Sequence, residues 1–504
     1  MSFDIGQLAM TAPLFTMIAA GVILLLLEAF AGGRQRGYLM PITVGFCLIA
    51  FGLEMIAWDA AETGSRSVFS GLLSVDRMSI FFDCLFLSAT ALTAMVAGPY
   101  MREHKFEFGE FYSIMVFATS GMMILAAATD LLTVFLGIET MSIAVYVLTG
   151  SWRRNAKSSE AAMKYFLAGA FATAVLLYGM ALVYGMCGST SLSNIAHEIP
   201  RVMADPASTP LFIIGLLMIV AALAFKVAAV PFHMWAPDTY EGAPTPVTAF
   251  MAAGIKAAAF ATMIRLLGYT FNRPDVAIGA SGWADLASVL AVITMIVGNV
   301  AALRQDNIKR MLAYSSIAHA GYLLIGVTAL STAGVKEAGP PLLVYLFGYT
   351  FTTLGAFAVV AWLGSKKDER LSIDDWAGLG SRHPAAALAM TVFMLSLGGV
   401  PPTAGFFGKF YLFRAALDTS ALNHRANGWM TVVIVIAVLN SVVSVAYYLR
   451  VVMAMYFRES LREPKPLQSR AVSAAIVIAV VVVLGFGVLP DWLIRMASDA
   501  IPKL

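Results

Sequence analysis

The sequence predicts an all-α polytopic membrane protein of about fourteen transmembrane helices, on three observations. Of 504 residues, 60% are hydrophobic and 12% charged, about half the charged fraction of a soluble domain, and mean hydropathy is +0.80. Apolar runs of about 20 residues, long enough to cross a bilayer, recur along the whole length. The period-2 alternation of an outer-membrane barrel is absent.

In chain order the runs lie near 11–31, 38–58, 78–99, 109–128, 130–150, 160–187, 210–231, 244–269, 279–303, 308–330, 340–364, 384–416, 428–457 and 470–497, each read from its length and apolar content. The first basic residue is Arg34, so no cleaved signal peptide is expected and the first run serves as the insertion signal. Asp4 before that run and "GGRQRG" after it place the N-terminus outside.

Basic residues then gather in the odd-numbered loops: Arg34 and Arg36, Arg102 and Lys105, "SWRRNAK", "RQDNIKR", "GSKKDER" with Arg382, and Arg458, Arg462, Lys465 and Arg470. The positive-inside rule assigns these loops to the cytoplasm and both termini to the outside. One odd loop, "FHMWAPDTYEGA" (232–243), has no Lys or Arg and must obey another constraint.

The loops hold no soluble domain, so 1–504 reads as a single integral membrane domain. No basic stripe with interleaved aromatics occurs, which excludes nucleic acid as a partner. Cys47, Cys84 and Cys187 sit in or beside spans without CxxC spacing and read as inert buried thiols.

Two prolines interrupt spans in matching places. "KVAAVPFH" breaks the seventh span at Pro231, and "SLGGVPPT" breaks the twelfth at Pro401 and Pro402. A second echo joins "MSIAVY" (141–146) to "SSIAHA" (315–320) at nearly the same offset. That offset covers five helices, an odd number, so equivalent helices would run in opposite directions. The expectation is an inverted repeat whose two copies are five helices apart, with the seventh and twelfth spans broken. Secondary transporters place ion sites at such breaks, where irregular backbone lines a hydrated cavity.

Charges lie deep in the apolar runs: Lys164 in "AAMKYFLAGA", Lys226 in "LAFKVAAVP", Lys256 in "AAGIKAAAFA", Lys409 in "GFFGKFYLF" and Glu139 in "LGIETMSIAVY". One Lys at a bilayer centre costs roughly 2.5–3.5 kcal/mol, so four unpaired would cost about a whole domain's stability. They must pair, face water or spend time neutral. Removal from water favours a neutral amine and a nearby carboxylate favours the charged one. A Glu–Lys pair that opens and closes can therefore load and release a proton. The alternative for each Lys is snorkelling from a helix end, which fits Lys164 best. His319 in "AYSSIAHAGY" adds a mid-span group that titrates near neutrality, among Tyr314, Ser315, Ser316 and Tyr322.

Other signals fail. "GFFGKF" is no P-loop, because Thr403 and Phe410 stand where Gly and Ser or Thr are required. No Cys/His cluster has metal spacing, and no haem, iron–sulfur or dinucleotide motif occurs. The chain is expected to carry no cofactor and no metal of its own.

Three long stretches, "FKVAAVPFHMWAPDTYEGAPTPVTAF", "RQDNIKRMLAYSSIAHAGY" and "GGVPPTAGFFGKFYLF", resemble the antiporter-like membrane subunits of respiratory complex I, and within them the subunit N family of NADH-quinone oxidoreductase. The resemblance covers essentially the whole chain. It implies two inverted five-helix repeats with broken helices 7 and 12: three N-terminal helices in 1–108, repeat 1 in 109–269, repeat 2 in 279–457 and a C-terminal helix in 470–504. It implies as well a membrane-embedded proton relay through Glu139, Lys226, Lys256 and Lys409, with Lys164 matching a further lysine of the family. His319 is kept beside them as an accessory group on its own chemistry. The resemblance also implies other membrane-arm subunits and lipids as partners, with NADH, FMN, iron–sulfur clusters and quinone held by those subunits. Lys409 stands where the M-type subunit would have Glu, and the chain stops after its fourteenth span where the L-type continues into a lateral helix. Subunits of Mrp-type cation/proton antiporters share the scaffold and are the alternative, as is a structural membrane-arm spacer.

Overall fold

The computed structural model describes residues 10–30, 36–61, 66–107, 109–279, 282–364, 369–422, 427–459 and 466–501. Asp4, Arg34, Lys366, Lys367, Arg462 and Lys465, used in the topology reading, lie outside the described residues. The chain is helical almost throughout: α1 Ala12–Phe30, α2 Leu39–Ala60, α3 Arg77–His104, α4 Glu110–Ala127, α5 Leu131–Thr149, α6 Ala156–Cys187 and a short α7 Leu192–Ala204. Then come α8 Thr209–Lys226, the short α9 Trp235–Gly242, α10 Thr245–Thr270 and α11 Trp283–Leu303. The remainder comprises α12 Ile308–Leu363, α13 Pro384–Gly398, α14 Ala404–Leu422, α15 Asn427–Phe457, α16 Arg470–Val488 and α17 Pro490–Ala500.

Among the described residues, twelve helices are long and apolar enough to cross a membrane. One of them, α12, has 56 residues, a length of about 84 Å against a hydrocarbon core of about 30 Å. Gly334 divides it with φ 77° and ψ 168°, a left-handed backbone that glycine adopts without a Cβ penalty, so α12 makes two passes. The apolar α13 and the helix α14 beyond its break share one more, which yields the fourteen passes read from the sequence.

Helix starts follow local chemistry. The Asp76 carboxylate accepts from the Ser79 N–H and the Ser79 hydroxyl returns the contact, a capping box that opens α3. Asp130, Asn155 and Asn307 cap α5, α6 and α12 in the same sense. Two features were not legible in advance. A hairpin of three-residue strands pairs Arg66–Val68 with Leu73–Val75 ahead of α3, too short for a period to register. The last span also ends at Val488 and restarts at Pro490, because proline has no N–H for the preceding turn.

The core centres on α10, buried over almost its whole length, and on α12, which packs against α11, α14, α16, α13 and α10. The outermost helices α1 and α2 leave most of their residues on the surface. The odd-numbered loops converge on one end of the bundle. There, Lys157 and Arg310 meet Glu241, Lys309 meets Glu369, and Arg458 meets Asp374.

Candidate functional site

The break in the seventh span begins earlier than its proline predicts. Helix α8 ends at Lys226, and Ala228 takes φ +58°. Backbone groups freed there find partners nearby: Ala229 N–H donates to Ala224 O at 2.9 Å, Trp235 Nε1–H to Phe225 O at 3.2 Å, and Val230 N–H to Thr294 Oγ1 at 3.0 Å. Lys226 thus sits on the last turn of a helix, where carbonyl dipoles favour a cation. It is 6% exposed, and its ammonium donates to Ser142 Oγ on α5 at 2.7 Å.

Glu139 lies one turn before Ser142 on α5, half-buried, and its Oε1 is buried without a hydrogen-bond partner among the described residues. Lys226 is thus anchored to α5 one turn from Glu139, by Ser142, whose own hydroxyl donates to Ile138 O at 2.5 Å. The Lys226 ammonium also lies 5.9 Å from the Tyr146 ring centroid.

Lys256 follows a π-helical turn, Met251–Ile255, inside α10, a distortion frequent at functional sites. It is 3% exposed, and its ammonium donates to Ser316 Oγ at 2.5 Å and to the Ser316 carbonyl on α12. Tyr349 donates to the same hydroxyl at 2.8 Å, with its ring 5.4 Å from the Lys256 ammonium.

His319 stands one turn further along α12. Its Nδ1 is 2.8 Å from the Tyr345 hydroxyl and its Nε2 is 3.2 Å from the Tyr448 hydroxyl, which contacts Ser315 Oγ at 2.5 Å. A cavity of about 10 Å³ touches His319, Tyr345, Tyr349 and Ser396, the space of about one water molecule.

Lys409 on α14 closes this line at the second break. Its ammonium donates to Leu397 O at 2.9 Å, Gly398 O at 3.1 Å and Ser441 Oγ at 3.0 Å, and lies 5.0 Å from the Tyr322 ring centroid. The two carbonyls are the C-terminal groups of α13, left free because Gly399 turns away at φ +79° and Pro401 and Pro402 follow. Proline supplies no N–H, and the ammonium supplies the missing donor. Cis peptide bonds precede Pro231 and Pro402.

Lys164 is not part of the buried line. Its side chain is 45% exposed and pairs with Asp238 and Glu160, each at 2.7 Å. Asp238 also takes Arg310 at 2.8 Å, and Glu241 takes Lys157 at 2.8 Å and Arg310 at 2.9 Å. This network explains the loop that lacks basic residues: its two acids receive cations from α6 and α12. Burial pushes the Asp238 carboxyl up, but its bonds from Lys164 and Arg310 outweigh that and hold it below the ordinary range. Glu241 is held low against burial by Lys157 and Arg310 in the same way.

Several buried charges escaped the sequence reading. Arg265, on α10, donates to both Asp76 oxygens at 2.9 Å and to Ala126 O at 2.5 Å. Glu54 and Asp83 are buried together between α2 and α3. Lys309 is wholly buried beside Glu369. Each is a charge in or next to an apolar run, the signal that picked out the other lysines, but each lies near a span end, where topology signals also lie.

Residues 128–439 match the family described as NADH:quinone oxidoreductase/Mrp antiporter, transmembrane. A curated relative from Trichlorobacter lovleyi, NADH-quinone oxidoreductase subunit N, is 45% identical over 99% of both chains. The chain belongs to the subunit N family of NADH-quinone oxidoreductase. A chain of respiratory complex I from Thermus thermophilus, solved with bound aureothin, superposes with TM-score 0.78 at 33% identity, over 96% of this chain and 99% of that one. A chain of the Mrp complex from a Dietzia species reaches TM-score 0.80 at 18% identity, over 97% of this chain and 96% of that one, a likeness of fold. The subunit N family is thus carried on the same scaffold as the Mrp antiporters.

Proposed function

We propose that this chain is a proton-translocating subunit of the membrane arm of NADH-quinone oxidoreductase in a bacterial inner membrane, with NADH oxidation and quinone reduction performed in partner subunits. The observation that carries the reading is a line of three buried lysines, Lys226, Lys256 and Lys409, each bonded to a serine hydroxyl with no carboxylate in contact among the described residues. An ammonium held by hydroxyls and carbonyls can release its proton without breaking an ion pair. The serine and tyrosine hydroxyls around it both donate and accept, so they can pass a proton along.

In this reading Glu139 exchanges a proton with Lys226 through Ser142, and Lys256 exchanges with Lys409 by way of Ser316, Tyr349, His319 and Tyr345. The two helix breaks are equivalent positions of two inverted repeats, spans 4–8 and 9–13. Left-handed residues at both breaks and a lysine bonded beside each support that assignment. Both termini lie on the periplasmic side and the converging basic loops face the cytoplasm. Moving one charge against the membrane potential takes about 2.3 kcal/mol per 100 mV, which the redox subunits supply through the membrane arm.

Two measurements test this. A native gel of gently solubilised membranes with a tagged copy of the chain should place it in a large band active in NADH oxidation. A smaller assembly without that activity, showing sodium-dependent exchange, would support the antiporter alternative instead. In the assembled complex, Lys226→Ala should lower the protons moved per NADH. Unchanged stoichiometry would remove Lys226 from the mechanism.

A further inference from the structure

A second polar cluster lies at the basic-loop end, outside the four relay groups. Glu369 follows α12, and its Oε1 gathers two hydroxyl donors and an ammonium from separate parts of the chain. The Tyr100 hydroxyl of α3 donates to it, the Thr245 hydroxyl at the start of α10 donates at 3.3 Å, and the Lys309 ammonium lies at 3.7 Å. Lys309 also donates to Ala243 O at 2.7 Å. The Lys309 side chain is 0% exposed and that of Glu369 is 18% exposed, so the carboxylate is the member of this pair that meets solvent.

Two further observations make this cluster more than an ion pair. First, it is wired toward Lys256. Lys309 and Ser316 are two turns apart on the same face of α12, about 10 Å along the axis, and Ser316 is the residue that holds Lys256. Helix α9 comes close to α12 at both levels: Ala243, just past its end, takes the Lys309 ammonium, and Tyr240, one turn earlier, stands near Ser316. Second, the cluster stands next to polar solvent and to an unpartnered imidazole. A pocket of about 170 Å³ is lined by Lys157, Glu160, Lys164, Asp238, Glu241 and Arg310, and Arg310 adjoins Lys309 in sequence. His104 packs on Tyr100 with ring centroids 4.3 Å apart. It is 6% exposed, and neither ring nitrogen has a hydrogen-bond partner among the described residues. Buried polar atoms in that condition call for water.

We propose that Glu369 is the loading group of the relay, taking a proton from the aqueous phase at the basic-loop end and supplying it, through Lys309, to Lys256. The proton balance closes. When Lys256 is neutral, the Lys309 ammonium gives up a proton that reaches Lys256 over water and the Tyr240 and Ser316 hydroxyls. The protonated Glu369 then reprotonates Lys309 and returns to carboxylate, ready for the next proton from solution. Tyr100 and Thr245 are positioning residues that hold Oε1 beside Lys309. The other charged or titratable groups around the pair are Glu241 and Lys157, which act on Lys309, and His104 with Glu103 on α3. This inference rests on the relay reading of Lys256, and its test separates the two.

The test uses the whole complex reconstituted in liposomes, measuring assembly, NADH oxidation and protons moved per NADH. Glu369→Gln keeps the oxygen that Tyr100 and Thr245 bond but cannot carry the proton. It should lower the stoichiometry as far as Lys256→Ala does, and Glu369→Asp should restore part of the loss. Full stoichiometry in Glu369→Gln, with Lys256→Ala lowered, overturns the loading role and leaves the relay standing. Full stoichiometry in Lys256→Ala overturns both. Should Glu369→Gln fail to assemble, the wild-type complex answers through a water-soluble carbodiimide with an amine, located by peptide mass spectrometry. Modification at Glu369 should rise in step with loss of pumping. A Glu369 left unmodified, or modified with pumping intact, overturns the proposal.

Discussion

At the scale of single residues, the buried lysines are held by small hydroxyls and free carbonyls from distant parts of the chain. The serine partners of Lys226, Lys256 and Lys409 lie 84, 60 and 32 residues away. The lysines were legible because a charge in an apolar run is anomalous by itself. Their partners were not, because a serine in a transmembrane helix commonly bonds its own backbone, as Thr119 and Ser120 do here. Ser142 is the sharpest case, the group that holds Lys226 one turn along α5 from Glu139. Ser142→Ala removes a hydrogen bond to a charged group, a loss of about 1.5–3 kcal/mol, while leaving both titrating residues in place. The complex should still assemble, protons moved per NADH should fall, and Ser142→Thr, which keeps the hydroxyl, should retain pumping. Equal stoichiometry in Ser142→Ala and wild type would show that Glu139 and Lys226 do not communicate through this hydroxyl.

At the scale of helices, the two breaks do the positioning. Their prolines were visible in the sequence, and so was the consequence that backbone groups would be freed. The actual ends were not visible: α8 stops at Lys226, five residues before Pro231, because Ala228 adopts a left-handed backbone that alanine rarely takes. The second break depends on a close approach. A Cβ placed on Gly405, at the start of α14, would stand 1.9 Å from Ser396 O of α13, far inside contact distance. Gly405→Ala must therefore push α14 away from α13, and Lys409, one turn on, moves with it away from the Leu397 and Gly398 carbonyls. Overpacking of this kind costs about 1–3 kcal/mol. A lowered melting temperature together with lost pumping is expected, whereas Gly485→Ala, where nothing lies within 4 Å of the added Cβ, should change neither. Wild-type behaviour in Gly405→Ala would mean the break tolerates a wider separation than its packing indicates.

At the scale of the whole molecule, the pass count and the grouping of the basic loops were legible because hydrophobicity and charge are summed over many residues. The couplings between distant loops were not, because each rests on one or two side chains. The ion network around α9 shows both sides. Its acid-rich loop stood out as the exception to the charge pattern, yet only the fold shows that Asp238 and Glu241 tie α6 to α12 through Lys157, Lys164 and Arg310. Both carboxyls are held below their ordinary range by those cations. A carboxyl with a depressed native value binds its proton more weakly folded than unfolded. Its contribution to stability is therefore fully present above the ordinary carboxylate range, about pH 4, and is lost as pH falls through the native value. The purified protein in detergent should keep a level melting temperature from neutral pH down to about pH 5 where this network is concerned, and lose stability below about pH 4. Asp238→Asn with Glu241→Gln should start from a lower melting temperature at neutral pH and show a shallower acid decline, because the groups that would take up the protons are gone. An acid decline identical in slope to the wild type would assign it to other carboxyls and leave α9 tied to α12 mainly by packing.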